Sequence, residues 1–164
     1  KIQGRFTKAL LKLKPGDEVI VDGPFGIFTI EDCDQDKDLV FIAGGVGIAP
    51  FISLIRDRLA QGINQGVVLL YGSKTEADII CRRELDSIKK GWFKKVHILS
   101  GDPSELAVGE AGHINQEIIE KYVPNISNSL FYICGPEPMK KSLKEILKKL
   151  KVNRRKVMIE DFFW

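Results

Sequence analysis

The longest uncharged stretch of the chain constrains its fold most. Seventeen residues without a charge, LVFIAGGVGIAPFISLI, run from Leu39 to Ile55. A membrane-spanning helix needs about 20 apolar residues, and three glycines and a proline interrupt this stretch in its middle. We therefore predict a buried strand over Leu39–Ala43, then a glycine turn, then a helix that begins at Pro50, because the fixed φ of proline suits the first helical turn.

Strand-like apolar runs alternate with helical patterns along the rest of the chain. This alternation is typical of a parallel sheet with crossover helices. The further predicted strands are Gly66–Tyr71, Lys95–Leu99, Leu130–Cys134 and Lys156–Ile159, and the further predicted helices are Arg82–Lys89, Asn115–Tyr122 and Glu137–Leu150. We therefore expect a doubly wound α/β domain.

Residues 1–30 have a different pattern, in which no helix alternates with strands. A turn sequence at Lys14–Asp17 precedes a predicted short strand over Glu18–Asp22, and Gly23–Gly26 predicts a second turn. One or two hairpins cannot hold a core of their own. We interpret this segment as the end of an antiparallel β module whose other strands lie outside the sequence.

Positive charge is concentrated near the C-terminus. Residues 140–156 contain nine of the 25 Lys and Arg residues and a single acid, Glu145, although the whole chain carries a formal charge of only +3. Such a segment could meet nucleic acid or an anionic membrane. The apolar residues recur at helical spacing, so the lysines are more simply the solvated face of an amphipathic helix. No aromatic residues interleave with them, and we predict no nucleic-acid partner.

The cysteines and histidines argue against a disulfide framework and against a metal site. Cys33, Cys81 and Cys134 are far apart and form no CxxC pair, which indicates a reducing compartment and hence a cytoplasmic location. His97 and His113 are the only histidines, and no metal-binding spacing accompanies them.

Two loops follow predicted strands at the edge of the sheet where doubly wound proteins bind ligands. The glycines of Gly44–Pro50 allow a phosphate to approach backbone N–H groups at a helix N-terminus, although a purely structural turn would use the same residues. The second loop, Cys134–Met139, begins with a thiol that packing alone would explain. No neighbouring histidine in the sequence marks Cys134 as a nucleophile.

Short sequences typical of one superfamily occur in that superfamily's order. They are Gly-Asp at 16–17, Gly-Pro-Phe-Gly-Ile-Phe at 23–28, Gly-Gly-Val-Gly-Ile-Ala-Pro at 44–50, Tyr-Gly-Ser-Lys at 71–74, Cys-Arg-Arg-Glu-Leu at 81–85, Gly-Glu-Ala-Gly-His-Ile at 109–114, Cys-Gly-Pro-Glu-Pro-Met at 134–139 and Ile-Glu-Asp-Phe at 159–162. On this set the chain resembles the C-terminal part of the ferredoxin–NADP⁺ reductase-like superfamily, flavoproteins that pass electrons between a nicotinamide nucleotide and FAD or FMN.

The resemblance implies two parts and a particular sheet. Residues 31–164 would form the NAD(P)-binding domain, an α/β doubly wound parallel five-stranded sheet with strand order 3-2-1-4-5. Residues 1–30 would be the C-terminal remnant of an antiparallel FAD-binding β-barrel. The barrel's Arg-x-Tyr-Ser/Thr motif is absent. We therefore expect this chain to be a piece of a longer FAD-binding protein and to bind flavin poorly or not at all by itself.

The resemblance also implies which residues meet the nucleotide. Gly45, Gly47 and Pro50 would border its pyrophosphate and nicotinamide. The loop at the other strand would contribute Gly135, Pro136 and Met139, beside the nicotinamide ring and the adenine end of the cleft. Cys134 would shape and polarise the hydride-transfer site, since the redox chemistry belongs to the cofactors.

Other implied contacts concern the ribose and the flavin. Ser73 and Ser100 would contact the adenosine ribose, and Gly4, Phe6 and Thr7 match the turn that holds the flavin pyrophosphate. Phe162 matches the aromatic residue that stacks on the flavin, although it could equally belong to an apolar tail against the sheet edge.

The choice between NADH and NADPH depends on charge near the ribose. NADPH-selective members often place an arginine directly after the serine that corresponds to Ser100, whereas here Gly101 and Asp102 follow. The missing guanidinium and the added carboxylate favour NADH. Lys74 and the pair Arg82–Arg83 are either substitute cations or ordinary surface charge.

The resemblance implies an NAD(P)H-dependent flavin oxidoreductase that transfers hydride to FAD and electrons on to ferric iron, haem or another redox partner. The N-terminal run most resembles bacterial ferric-reductase-like and NADPH-oxidase-like proteins, in which a haem-bearing membrane domain precedes the barrel. That would place the chain on the cytoplasmic face of a membrane. The alternative is a nucleotide-sensing or electron-transfer regulatory subunit without turnover, because a fold does not fix a function.

Overall fold

The computed structural model describes residues 4–23, 25–31, 36–101 and 109–161. Its helices are α1 (Arg5–Leu10), α2 (Ala49–Gln61), α3 (Arg82–Ser87), α4 (Gln116–Tyr122) and α5 (Glu137–Lys149). Its strands are β1 (Asp38–Gly44), β2 (Val67–Ser73), β3 (Phe93–Leu99), β4 (Glu110–Ala111), β5 (Ser129–Cys134) and β6 (Val157–Glu160). The predicted α/β class is confirmed.

The strands form one parallel sheet in the order β4-β3-β2-β1-β5-β6. The predicted order of the five longer strands is confirmed, but the predicted number of strands was wrong by one. The additional strand, β4, has two residues and pairs with Ile98 and Leu99 at the edge of the sheet. This strand could not be predicted from the sequence, because two residues that begin with a glutamate form no apolar run.

The uncharged run at the start of the domain forms the centre of the sheet. All five side chains of Leu39–Ala43 are inaccessible to solvent. Alternate residues of β1 point into two layers, so that Phe41 packs with Phe51 of α2 on one face and Ile42 packs with Leu143 of α5 on the other. Crossover helices on both faces explain why this strand is apolar throughout rather than alternating.

Helix α5 buries Leu143 and Leu147 and leaves most of its lysines in solvent, as predicted. Lys140 is the exception, because its side chain is buried in ion pairs with Glu137, at 2.7 Å, and with Asp161. None of the helices in the described ranges is both long enough and apolar enough to cross a membrane.

The described residues of the N-terminal segment, 4–23 and 25–31, contain helix α1 and otherwise turns and irregular backbone. The prediction of a strand over Glu18–Asp22 was wrong for this structure, because no segment of the described residues pairs with it and a strand needs a partner for its backbone groups. The end of the segment is anchored: the Phe28 ring lies edge-on to Phe51 and Tyr132, at 5.7 and 5.3 Å. The Tyr132 hydroxyl also donates a hydrogen bond to the carbonyl oxygen of Thr29, at 3.0 Å.

Candidate functional site

A cleft of about 560 Å³ opens where the carboxyl ends of β1, β2, β3 and β5 meet. Ligand pockets of proteins commonly have a volume of this order. Six residues predicted from the sequence line it together: Gly45, Ser73, Lys74, Ser100, Pro136 and Met139. The other predicted residues lie behind the lining, in the N-terminal segment or outside the described ranges.

The glycine loop after β1 follows a path that requires glycine at two positions. Gly45 has a φ of 53°, in the left-handed region that other residues adopt at a cost. A β-carbon built on Gly47 would collide with the backbone of Cys134 and lie 2.6 Å from its carbonyl carbon. Pro50 is the second residue of α2, in its first turn. The loop thus presses directly against the end of β5.

The loop after β5 closes the same side of the cleft. A β-carbon on Gly135 would lie 2.5 Å from Cε of Met139 and 3.1 Å from Cα of Gly44. Pro136 is the N-cap of α5, and its missing N–H is no loss at that position. Because the two loops pack with little between them, the N-termini of α2 and α5 open at one edge of the sheet. Unpaired N–H groups and helix dipoles suit that edge to a phosphate group.

The far side of the cleft is built on the ends of β2 and β3. The backbone N–H of Ser100 donates to the carbonyl oxygen of Ser73 at 3.0 Å, and that of Gly101 donates to the carbonyl oxygen of Lys74 at 2.8 Å. Ser73 is buried, whereas Ser100 and Lys74 are exposed. Among the described residues that line the cleft, Lys74 is the only Lys, Arg, Asp or Glu. The cleft therefore has cationic rather than anionic side-chain charge.

Tyr71 stabilises the glycine loop through its hydroxyl group. Its hydroxyl donates a hydrogen bond to the carbonyl oxygen of Gly45 at 3.1 Å and accepts one from the backbone N–H of Ile80 at 3.2 Å. The ring is fully buried, and burial raises the pKa of the phenol. Sequence reasoning missed this role, although Tyr71 opens the Tyr-Gly-Ser-Lys sequence at 71–74.

Cys134 lies in the core rather than in the lining of the cleft. Its side chain is inaccessible to solvent and packs in the layer that contains Phe41 and Tyr132. Burial, with a further contribution from the Glu160 carboxylate, raises the pKa of the thiol to about 11. The thiol is therefore protonated at neutral pH, which does not suit a nucleophile.

Gly4, Phe6 and Thr7, the residues predicted to hold the flavin, are not among the described residues that line this cleft. Gly4 and Thr7 cap helix α1, where the Gly4 N–H donates to Oγ1 of Thr7 at 3.1 Å, and the Phe6 side chain is 73% exposed. Phe162 and Asp102 lie outside the described residues.

Of the proposed substitute cations, only Lys74 reaches the cleft. Arg82 forms ion pairs with Glu76 at 2.6 Å and with Asp86 at 3.6 Å. Arg83 is exposed and is not among the described residues of the lining.

Sequence reasoning missed one wall of the cleft. Gly112, His113 and Ile114 line it, in the loop that follows β4. Gly112 has a φ of 98°, and its N–H donates to the carbonyl oxygen of Leu99 at 2.7 Å. The signal was present in Gly-Glu-Ala-Gly-His-Ile at 109–114, but without β4 it could not be placed at the sheet edge. The described residues contain no group of three or more His, Cys, Asp or Glu side chains suited to a metal ion.

Comparison with known proteins agrees with this geometry. Residues 41–145 match the family described as oxidoreductase NAD-binding domain. One component of the Na(+)-translocating NADH-quinone reductase of Yersinia enterocolitica is 31% identical over 97% of this chain, which corresponds to 40% of the relative. The chain thus spans less than half the length of this curated relative.

Solved structures share the fold over nearly the whole chain. The cytochrome b5 reductase domain of Ulva prolifera nitrate reductase has a TM-score of 0.81 and 26% identity, covering 96% of this chain and 66% of that one. A ferredoxin NADP+ reductase from Neisseria gonorrhoeae, 21% identical, shares the fold with a TM-score of 0.76 over 98% of this chain and 70% of its own. The chain belongs to the family of oxidoreductase NAD-binding domains and has the fold of the ferredoxin–NADP⁺ reductase superfamily.

Proposed function

We propose that this chain is the NAD(P)H-binding part of a flavin-dependent oxidoreductase in which hydride passes from the nicotinamide to FAD and electrons continue to an acceptor. The observation that carries the proposal is the packing of the Gly45–Ile48 turn against the end of β5, which a β-carbon on Gly47 would prevent. That packing brings two helix N-termini to one cleft, where the diphosphate of a dinucleotide would find backbone donors.

The chain's own residues would bind and orient the nucleotide. Lys74 would contribute a positive charge near the phosphates or the ribose, and Ser73 and Ser100 would offer hydrogen-bonding groups to the adenosine end. Pro136 and Met139 supply an apolar wall, while Gly47, Pro50, Gly135 and Cys134 shape the loops behind it. When bound, the nucleotide supplies the hydride, and its oxidised form leaves with the positive charge on the ring.

The flavin would be held by an FAD-binding barrel, of which the N-terminal segment of this chain forms the last part. Several large apolar side chains of this segment are almost fully exposed: Ile20, Val21, Phe25 and Ile27. Exposed apolar surface of this extent indicates a missing partner, and the curated relatives are much longer than this chain. We therefore assign residues 1–30 to the end of an FAD-binding barrel and residues 31–164 to the nucleotide domain, with Gly4, Phe6 and Thr7 at the flavin pyrophosphate.

Phe162 would cover the flavin ring in the complete protein. Removing Phe162–Trp164 should then change the affinity for the nucleotide or the turnover. Unchanged values of both would dismiss this role.

NADH is the proposed preference. Lys74 is the one described Lys or Arg of the cleft, and Arg82 is already engaged by two carboxylates. A 2′-phosphate would therefore find a single cation rather than a bidentate guanidinium. The Yersinia relative is named as an NADH-quinone reductase.

The acceptor of the complete protein belongs to one of a few classes. The relative's name suggests a quinone, and the N-terminal sequence suggests ferric iron or a haem domain at the cytoplasmic face of a membrane. Assays with a quinone, a ferric chelate and a haem protein, each with NADH and FAD, would distinguish these acceptors.

The test has two arms. In the first, titration calorimetry measures NADH and NADPH binding to the chain and to Lys74→Gln, with Lys90→Gln as a matched exposed lysine outside the cleft. We expect the chain to bind NADH more tightly than NADPH. Lys74→Gln should lower the affinity for the nucleotide about fivefold, and the difference should shrink in high salt. Absence of nucleotide binding would refute the proposal, and tighter NADPH binding would refute the preference.

In the second arm, the complete protein that contains this chain is supplied with FAD, NADH and ferricyanide. Reduction of ferricyanide supports the oxidoreductase. Nucleotide binding without reduction would instead support the regulatory, nucleotide-sensing role.

A further inference from the structure

A second groove, of about 600 Å³, lies between helix α5 and the edge strand β6. Its floor is apolar, formed by Leu147, Val152, Val157 and Ile159. Its rim is basic, formed by Lys144, Lys148, Lys151 and Arg154, with Glu145 as the one acid among the described residues of the lining. An apolar floor with a cationic rim suits an amphipathic anion.

The four cations of the rim are exposed and form no ion pair or hydrogen bond through their side chains within the described part of the chain. The three lysines follow one another at intervals of four and three residues, which places them along one face where α5 ends. Arg56, by contrast, is held by Glu84 at 2.7 Å. The four rim charges are therefore available to a group outside the chain.

Lys151 holds its place in the rim at a conformational cost. Its φ is 57°, in the left-handed region, and it follows the last turn of α5. Its N–H donates to the carbonyl oxygen of Lys148, and the N–H of Val152 donates to that of Leu147, both at 3.0 Å. This pattern of helix termination strongly favours glycine, and α2 ends with Gly62 at a φ of 68°. A charged side chain kept at a position that favours glycine supports a role for that charge in the groove.

The groove lies at the end of the sheet opposite the nucleotide cleft. It adjoins the C-terminal end of α5 and Val157, where β6 begins, whereas the cleft adjoins the N-terminal end of α5 and the ends of the strands. A partner in the groove would therefore leave the cleft open. This placement suits a surface that anchors the protein rather than one that receives its electrons.

We propose that this groove docks an anionic phospholipid membrane. Lipid phosphates and carboxylates would pair with the rim, and the apolar floor would meet the glycerol and upper acyl region. Lys141, Lys149 and Arg155, which are not in the groove lining, are exposed as well and add positive charge on α5 and just before β6. An extended anionic surface could meet these charges together with the rim, whereas a peptide confined to the groove would leave them unpaired.

The test is co-sedimentation of the chain with phosphatidylcholine vesicles that either lack phosphatidylserine or contain it at about 30%, enough to give the surface a negative potential. We expect binding to the anionic vesicles only, weakening as salt is raised. The variant Lys144→Gln/Lys148→Gln should lower the partition coefficient roughly 25-fold, since each lysine near an anionic surface contributes about fivefold. The matched variant Lys89→Gln/Lys90→Gln, two exposed lysines of a loop elsewhere, should change it little.

A second pair of variants separates charge from folding. Lys151→Gly should raise the melting temperature, by relieving the left-handed conformation, and at the same time weaken vesicle binding about fivefold. Cys81→Gly relieves the same conformation at the other described non-glycine residue with positive φ, where φ is 56°, and should leave vesicle binding unchanged, because Cys81 packs against the core rather than in the groove.

Equal binding to neutral and anionic vesicles, or no effect of the groove variants, would overturn the proposal. So would binding of polyglutamate without binding of anionic vesicles, which would identify an acidic protein as the partner. Nucleotide titrations of the same variants keep the two proposals apart, because failure at the membrane leaves NADH binding unaffected.

Discussion

The hydroxyl of Tyr71 donates a hydrogen bond to the carbonyl oxygen of Gly45 at 3.1 Å, although 26 residues separate them in the chain. Tyr71 lies near the end of β2, and Gly45 begins the turn that leaves β1. The same hydroxyl accepts from the N–H of Ile80, before α3. One buried phenol thus ties together the glycine turn and the connection to α3.

Replacing Tyr71 with Phe should weaken both the fold and the nucleotide site. The substitution leaves the carbonyl of Gly45 and the N–H of Ile80 without this partner, so we expect a loss of about 1–3 kcal/mol in the free energy of unfolding. The freed turn should also bind NADH severalfold more weakly. Urea denaturation and calorimetry measure the two effects.

Tyr132→Phe is the matched control for this prediction. It also removes a buried hydroxyl, one that donates to Thr29 at 3.0 Å away from the glycine turn. Its stability should fall by a similar amount while NADH affinity stays near that of the parent chain. Equal losses of affinity in both variants would show that Tyr71 acts only through global stability.

Substituting Gly47 with Ala should strain the junction of the two loops. The new methyl group would meet the backbone of Cys134, which has no flexible side-chain atom to move aside. We expect a loss of about 3 kcal/mol, at the upper end for an overpacked site. Gly91→Ala, where a β-carbon has nothing within 4 Å, should leave the denaturation midpoint nearly unchanged.

The sequence predicted the fold wherever burial leaves a pattern. Strand β1 was predictable because helices cover both its faces and every side chain from Leu39 to Ala43 is buried. The strand over Glu18–Asp22 also has an apolar core, but a strand forms only where a neighbour supplies backbone partners, and none of the described residues does. The composition of a segment does not show whether a neighbouring strand is present to pair with it.

The candidate site was predictable to a similar extent. The two glycine loops were expected at one edge because parallel strands share their carboxyl ends. The wall with His113 was missed because it depends on the short strand β4. The ion pair of Arg82 with Asp86 has the i, i+4 spacing of a predicted helix, but the pair with Glu76 could not be read from spacing, because Glu76 lies in the separate turn before α3.

The buried thiol of Cys134 should make stability depend on alkaline pH. Burial raises its pKa from 9.0 to about 11 in the folded chain. Between these two pKa values the folded state keeps a proton that the unfolded state releases. The contribution of the thiol to the free energy of unfolding is therefore complete below pH 9 and is lost as the pH rises through about 11. We expect the thiol to account for a loss of roughly 2 kcal/mol across that interval.

Cys134→Ala isolates this effect from other alkaline titrations. The variant should be less stable at pH 7, because it loses buried volume, yet its free energy of unfolding should fall less steeply between pH 9 and 11. Guanidinium denaturation at several pH values measures this free energy for both proteins. If it falls equally steeply between pH 9 and 11 in both, the Cys134 thiol is not the titrating group.

The buried ammonium of Lys140 joins the first turn of α5 to the end of β6 through Glu137 and Asp161. Lys140→Met keeps the length of the stem but leaves both carboxylates without this cation, and we expect a loss of about 1–2 kcal/mol in the free energy of unfolding, moderated because the two carboxylates are partly solvated. Hydrogen exchange should rise at Glu160 and Asp161, which the pair holds against the helix. Lys141→Met, at the exposed neighbouring position, should do neither. If the two variants unfold at the same urea concentration, the ion pairs of Lys140 do not hold the end of β6.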